Sequence, residues 1–141
     1  MSERGTYALL LRLDASQAVV VGALGARTFP QGWYLYLGSA RGPGGLAARL
    51  ARHRRRGNKR PHWHIDYLRA VTTWVQAWTH AGETRQECAW AAAAGALPGA
   101  RVVVPRFGAS DCRCPAHLFH YERRPQASEL EKALRIALCL R

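Results

Sequence analysis

Two phenols, a histidine, a run of arginines and an isolated carboxylate are spaced along this chain in a way that could serve a phosphate ester. Hydrolysing a phosphodiester needs a base for the attacking water, positive charge for the developing oxyanion and help for the departing oxygen. Tyr7 and Tyr36 fall on segments that read as strands of one small sheet, where their phenols could converge. A phenol is a poor base at its ordinary pKa of about 10, so a metal ion and an adjacent arginine would have to favour the phenolate. Arg49 and His53 lie one helical turn apart and share a face with Leu46 and Leu50, which turns that arginine toward the sheet. Arg41 follows Tyr36-Leu37-Gly38 in a glycine-rich turn that permits close backbone approach to a phosphate. Glu87 stands where Thr84-x-x-Glu87 has the spacing of a helix capping box. Acids are scarce around it: Asp66, Glu83, Glu87 and Asp111 are the only ones between Ala15 and Tyr121.

The charge points the same way. The 141 residues carry 21 Lys+Arg against 9 Asp+Glu, a net charge of +12. Seven cations lie between Arg49 and Arg60: Arg49, Arg52, Arg54, Arg55, Arg56, Lys59 and Arg60. Such a cluster suits a polyanion, because each neutralised phosphate releases condensed counterions; the plainer alternative is a solvated, arginine-rich face. His62-Trp63-His64 follows directly. There the indole could stack on a base and the histidines contact phosphate, or the segment could simply pin a short helix.

Composition bounds the rest. A hydrophobic fraction of 48% argues against disorder, and no apolar run approaches the roughly 20 residues of a membrane span. The N-terminus lacks the pattern of a secretory signal, and four cysteines are too few for a disulfide scaffold, so a reducing cytoplasm is expected.

To position those residues, Thr6 to Leu13, Ala18 to Val21 and Gly32 to Ser39 read as three strands of an antiparallel meander. Gly42-Pro-Gly-Gly45 then launches a helix from Leu46 to Arg56, closed by Gly57. Pro61 to Leu68 opens a second helix, and Thr72 to Thr79 is a strand. The alanine-rich run to Ala94 is a helix stopped by Gly95. Arg101 to Phe107 and Leu118 to Tyr121 read as strands, and Ser128-Glu-Leu-Glu131 caps a helix running toward Leu140. Strands and helices without regular alternation give one α+β domain, a mainly antiparallel sheet flanked by helices.

Cys112-Arg113-Cys114 with His117 and His120 invites a zinc reading, with Cys88 or His80 as the completing ligand. Structural zinc sites usually draw on two paired knuckles, which are missing here, so a packed turn or a redox-sensitive pair is the favoured expectation and structural zinc is not expected.

Gly5-Thr6-Tyr7, Tyr36-Leu37-Gly38, the arginine of the following helix and the later glutamate, in this order and spacing, resemble the GIY-YIG nuclease superfamily. Closer still is a branch in which YLGSARGPGGLAARL, HWHIDYL and SDCRCPAHLF recur, sometimes fused to DNA-repair glycosylases. The resemblance covers about residues 5–121. It implies a GIY-YIG-like fold and a metal-dependent DNA endonuclease of repair or processing. Tyr7 and Tyr36 would serve the attacking water, Arg49 the scissile phosphate, and His53 a phosphate contact or proton transfer. Glu87 would hold one Mg²⁺ (or Mn²⁺). Arg41, Arg52, Arg55, Arg56, Lys59, Arg60, His62 and His64 would line the DNA path. The alternative is a non-catalytic DNA-binding module with a degenerate site. An RNA substrate is equally compatible with phosphate contacts, and a protein partner could supply specificity.

Overall fold

The computed structural model describes residues 3–55 and 60–139. Strand β1 (Gly5–Leu13) lies between β4 (Gly32–Ala40) and β5 (Thr73–Ala81), and β6 (Leu118–Tyr121) adds to the far side of β4. All these pairings are antiparallel, giving a four-stranded sheet of order β5-β1-β4-β6. Strand residues alternate between two faces, and here both faces are covered. Tyr7, Leu9, Leu11 and Leu13 enter one core with Tyr36, Leu46, Ile65, Leu68 and Phe107. Ala8, Leu10, Leu35 and Leu37 enter the other with Trp90, Ala94, Leu130 and Leu134. Double coverage is why β1 reads as an unbroken apolar run instead of an alternating one. The fold is therefore α+β, as expected.

Helices α1 (Gly45–Arg54) and α2 (His64–Arg69) cover the first face, and α3 (Glu87–Gly95) and α4 (Ala127–Cys139) the second. The turn before α1 is made by glycines: Gly44 and Gly45 have φ of +82° and +58°, a region costly for other residues. Past the other end of α1, the expected stop at Gly57 lies outside the described residues. The carbonyls of His53 and Arg54 are instead met by the buried Arg69, whose Nε donates to His53 O at 2.7 Å and whose Nη2 donates to Arg54 O at 3.4 Å. A guanidinium at a helix C-terminus satisfies orphan acceptors and opposes the helix dipole.

Three expectations are corrected. The second strand, β2 (Gln17–Val20), does not extend a meander with β1; it pairs with β3 (Ala26–Phe29) in a separate two-stranded sheet closed by a 3₁₀ turn at Gly22–Leu24. Its residues are mostly exposed, and a strand without two apolar faces cannot take a place in a sheet covered on both sides. The stretch 101–107 is not a strand: it makes one isolated bridge, Arg101 to His120, before Pro105 and the positive φ of Arg106 (68°) turn the chain. Phe107 then plugs into the core against Phe29 and Tyr36. The capping boxes also shift. Helix α3 begins after Gln86, whose N–H donates to Thr6 Oγ1 at 3.2 Å, and Thr84 is exposed outside it; Ser128 lies inside α4. A side-chain cap does form at α2, where Asp66 Oδ2 accepts from the backbone N–H of Trp63 at 3.0 Å.

Candidate functional site

Register brings the two phenols together. Tyr7 on β1 faces Gly38 on β4, and Tyr36 lies two residues along β4 on the same face. Their rings are 6.2 Å apart. A Cβ on Gly38 would sit 2.5 Å from both Cζ and the oxygen of Tyr7, so the glycine exists to let the phenol lie under the strand. Tyr7 is 1% exposed, and its hydroxyl lies 2.7 Å from Nε2 of the buried His53 on α1. Burial pushes the Tyr7 phenol up to about 12; Arg49, by charge and hydrogen bond, pulls it back only in part. Tyr36 is likewise driven well above the usual range, by burial first and then by Tyr7. Both phenols are thus protonated at neutral pH, with His53 placed to accept from Tyr7.

Tyr36 and Gly38, but neither Tyr7 nor His53, line a groove of about 160 Å³ together with Arg49, Trp63, Glu87 and Asp111, among others. Larger concavities, such as the one along Leu97, Arg123 and Gln126, lie away from the tyrosines. Arg49 donates to Ser39 O at 2.9 Å and stacks 4.2 Å over the Trp63 ring. Glu87, the first residue of α3, has its Oε1 3.9 Å from Arg85, while its Oε2 is buried with no hydrogen-bond partner. Arg41 sits to one side, bonded to Ser39 Oγ and to Gly82 O, with Nη2 buried and unpartnered.

The remaining basic residues divide by role. Arg52 donates to Asp66 Oδ2 and to Arg60 O, both at 2.8 Å, and it also stacks on Trp63. His62 is exposed and gives its backbone N–H to the same carboxylate oxygen. Burial alone would raise Asp66, but the bonds from Arg52, Trp63 and His62 outweigh it and hold the carboxyl below its usual range. His64 accepts the Gly108 N–H at 2.9 Å, and burial lowers its pKa, so it ties the 101–117 segment to α2 as a neutral ring. Arg55 and Arg60 are exposed; Arg56 and Lys59 lie outside the described residues. Trp63 is half-buried beside the core; of the other tryptophans only Trp90 is fully buried, and Trp33 and Trp74 are shelves for arginines.

Beside the groove a second grouping overturns the metal expectation. Cys88, Cys112, Cys114 and His117 bring their ligand atoms within 4.8 Å of one another, the one set of three or more such groups found among the described residues. Its donors are three sulfurs and an imidazole, soft ligands that suit zinc and not Mg²⁺. An Mg²⁺ ion wants an octahedron of oxygens, and Glu87 offers a carboxylate with no second acid beside it in any such group. The expectation of Mg²⁺ (or Mn²⁺) at Glu87, with structural zinc set aside, is corrected accordingly. Of the Cys112–Cys114 pair expected to be redox-sensitive, burial pushes the Cys114 thiol up, away from the lowered pKa of a reactive thiol. Cys112-x-Cys114 and His117 were visible in the sequence, with Cys88 and His80 as alternative completing ligands; the fold selects Cys88, which arrives on α3 while the others lie in a loop.

A family model described as "Domain of unknown function DUF123" matches residues 6–138. The chain belongs to the DUF123 family. That match spans every strand and helix that builds the site, from Tyr7 to His117. No curated protein and no solved structure matches the chain. Among the described residues, no helix is long and apolar enough to cross a membrane.

Proposed function

We propose that this DUF123 chain is a nucleic-acid phosphodiester hydrolase of the GIY-YIG type, acting as a DNA endonuclease in repair or processing. The observation that carries this reading is the buried Tyr7–His53 contact of 2.7 Å, packed behind Tyr36 and Gly38, which line a groove with Arg49 and Glu87. Tyr7 and Tyr36 lie on adjacent antiparallel strands, which supports this reading.

A protonated phenol cannot itself act as a base at neutral pH, but one that can hand its proton to an imidazole can. Imidazole is the side chain whose ordinary pKa lies nearest neutrality. In the proposed step a water entering the groove is oriented by the unpartnered Oε2 of Glu87. For this step substrate binding would open the groove wall at Gly38 onto Tyr7; as the water attacks phosphorus its proton passes to Tyr7, and the Tyr7 proton passes to His53 Nε2. The negative charge that builds on the phosphoryl oxygens meets Arg49, whose planar fork suits a phosphate. Arg41 adds a second cation at the strand end, and the departing oxygen takes its proton from solvent. Tyr36 walls the groove beside the reacting water.

Trp63 supports the same reading by holding Arg49 over its ring, which fixes a long side chain before substrate arrives. The exposed Arg55, Arg60 and His62, with Arg56 and Lys59, would carry the rest of the strand.

The test is cleavage of a panel of labelled duplex, flapped, branched and abasic DNAs, with matched RNAs, run beside binding at two salt concentrations. Cutting by the wild type that is lost in Tyr7→Phe, His53→Ala and Arg49→Ala, with DNA affinity retained in Tyr7→Phe, is expected. Salt-sensitive binding with no cutting of any substrate overturns the hydrolase and leaves a DNA-binding module.

A further inference from the structure

We propose that Cys88, Cys112, Cys114 and His117 form a tetrahedral zinc site that staples the first turn of α3 to the 105–117 segment and so fixes one wall of the groove. The geometry suits the ion. With Zn–S of about 2.3 Å and Zn–N of about 2.0 Å, a tetrahedron places sulfur and nitrogen ligands roughly 3.5 Å apart. Here Nε2 of His117 stands 3.7 Å from Cys88 Sγ and 3.4 Å from Cys112 Sγ. All four ligand atoms lie within 4.8 Å of one another, so closing them onto an ion needs side-chain adjustments and no movement of the sheet.

The surroundings are those of a ligand set. His117 is 5% exposed; its backbone N–H bonds Phe107 O at 2.8 Å, its carbonyl accepts from Leu37 N–H at 2.9 Å, and its ring also reaches the Leu37 backbone. A metal-bound imidazole ordinarily gives its second ring N–H to such a partner. The loop bearing the thiols is curled around one side chain: Arg106 donates to the carbonyls of Ala109, Cys112 and Cys114. Its guanidinium thereby aims both thiols inward and sets a positive charge beside them. When zinc binds, three thiol protons leave to solvent and the neutral ring contributes Nε2, so the site carries one net negative charge beside Arg106.

The consequence for the groove is direct. Cys88 follows Glu87 in sequence, and Cys112 and His117 line the groove themselves. An ion bound to them holds the head of α3, and with it the Glu87 carboxylate, opposite Arg49. The zinc site stands whether or not the hydrolase reading does, because its test reads metal and not turnover.

Full-length protein, purified under reducing conditions without chelator, is assayed for metal by mass spectrometry, then stripped and titrated with Co²⁺. About one zinc per chain is expected, together with the thiolate charge-transfer and intense visible bands of tetrahedral cobalt. Cys112→Ser and Cys114→Ser should lose both signals, and Cys139→Ser should keep them. Because the serine variants could misfold, hydrogen exchange on the wild type supplies a second readout. Stripping the metal should remove protection across residues 105–117 and the start of α3 while β1 and β4 stay protected. Substoichiometric metal in folded protein, an octahedral cobalt spectrum, or a disulfide among Cys88, Cys112 and Cys114 each overturns the site.

Discussion

Replacing Tyr7 with phenylalanine should cost stability at neutral pH and progressively less as the solution becomes alkaline. The phenol titrates at about 12 in the folded chain against 10.0 for an exposed tyrosine, because burial penalises its charged form. A folded pKa above the unfolded one means the contribution is fully present below pH 10 and lost as pH rises through 12. Over that window the unfolded state releases a proton that the folded state keeps, so stability falls by about 1.4 kcal/mol per pH unit for this one group. At neutral pH the variant loses the hydrogen bond to His53 and deprives a buried ring nitrogen of that partner, at about 1–3 kcal/mol. Since the variant has no phenol at this site to ionise, its deficit should shrink by about 1.4 kcal/mol at pH 11. The cysteines and the tyrosines away from this pair titrate equally in both proteins and cancel in the difference, while Tyr36, raised first by burial and only then by Tyr7, keeps its largest cause in both. Urea unfolding of the pair from pH ~8 to ~11.5 measures it. A deficit that stays constant across the range would falsify the claim that the fold keeps this phenol protonated, and with it the need for His53 as proton acceptor.

Two further substitutions probe the same scaffold. Gly38→Ala places a methyl 2.5 Å from the Tyr7 oxygen and 3.0 Å from the Tyr36 ring, so it should destabilise by about 1–3 kcal/mol and shift tyrosine fluorescence; unchanged thermal unfolding contradicts the close approach. Asp66→Ala removes an acceptor shared by Arg52, His62 and Trp63 and should cost about 3 kcal/mol at neutral pH. The Asp66 carboxyl is held below 3.8, so its contribution is full above that pH and disappears as acid carries the solution through the lowered value. The variant's deficit should therefore narrow on acidification, which denaturant titrations at falling pH would detect.

The strands of the central sheet and the helix that carries Arg49 were legible because both obey simple periodicities: apolar runs for strands buried on both faces, and Leu46, Arg49, Leu50 and His53 on one helical side. Three things were not. The pairing of β2 with β3 depends on Phe29 reaching the core from an otherwise exposed segment, and four-residue strands carry almost no pattern. The 101–107 stretch, with three consecutive valines, has strand composition; Pro105 and the turn at Arg106 forbid it. Thr84 mimics a cap because Glu87 follows at the right interval, yet Thr6, on a distant strand, supplies the hydroxyl that the Gln86 N–H uses. The Cys/His cluster illustrates the general difficulty. Cys88 is separated from the Cys112-x-Cys114 pair by 23 residues of helix and loop, so only folding brings it near.

The arginines argue for restraint in reading charge as partner. Seven cations crowd residues 49–60, but several are committed within the fold: Arg52 to Asp66 and Arg60 O, Arg54 to the face of Trp74, and Arg49 to Ser39 O and Trp63. The nearby Arg69 is consumed in closing α1. What distinguishes Arg49 is that its commitments leave it in a groove, beside a carboxylate oxygen with no partner and above a phenol whose neighbour is an imidazole. A merely solvated basic face has no reason to bury a Tyr–His pair beneath it, because placing two polar side chains in a core costs free energy unless each bonds the other. A Tyr–His pair so bonded, at the strand position where Gly38 makes room for it, is the feature on which the proposed hydrolase reading rests.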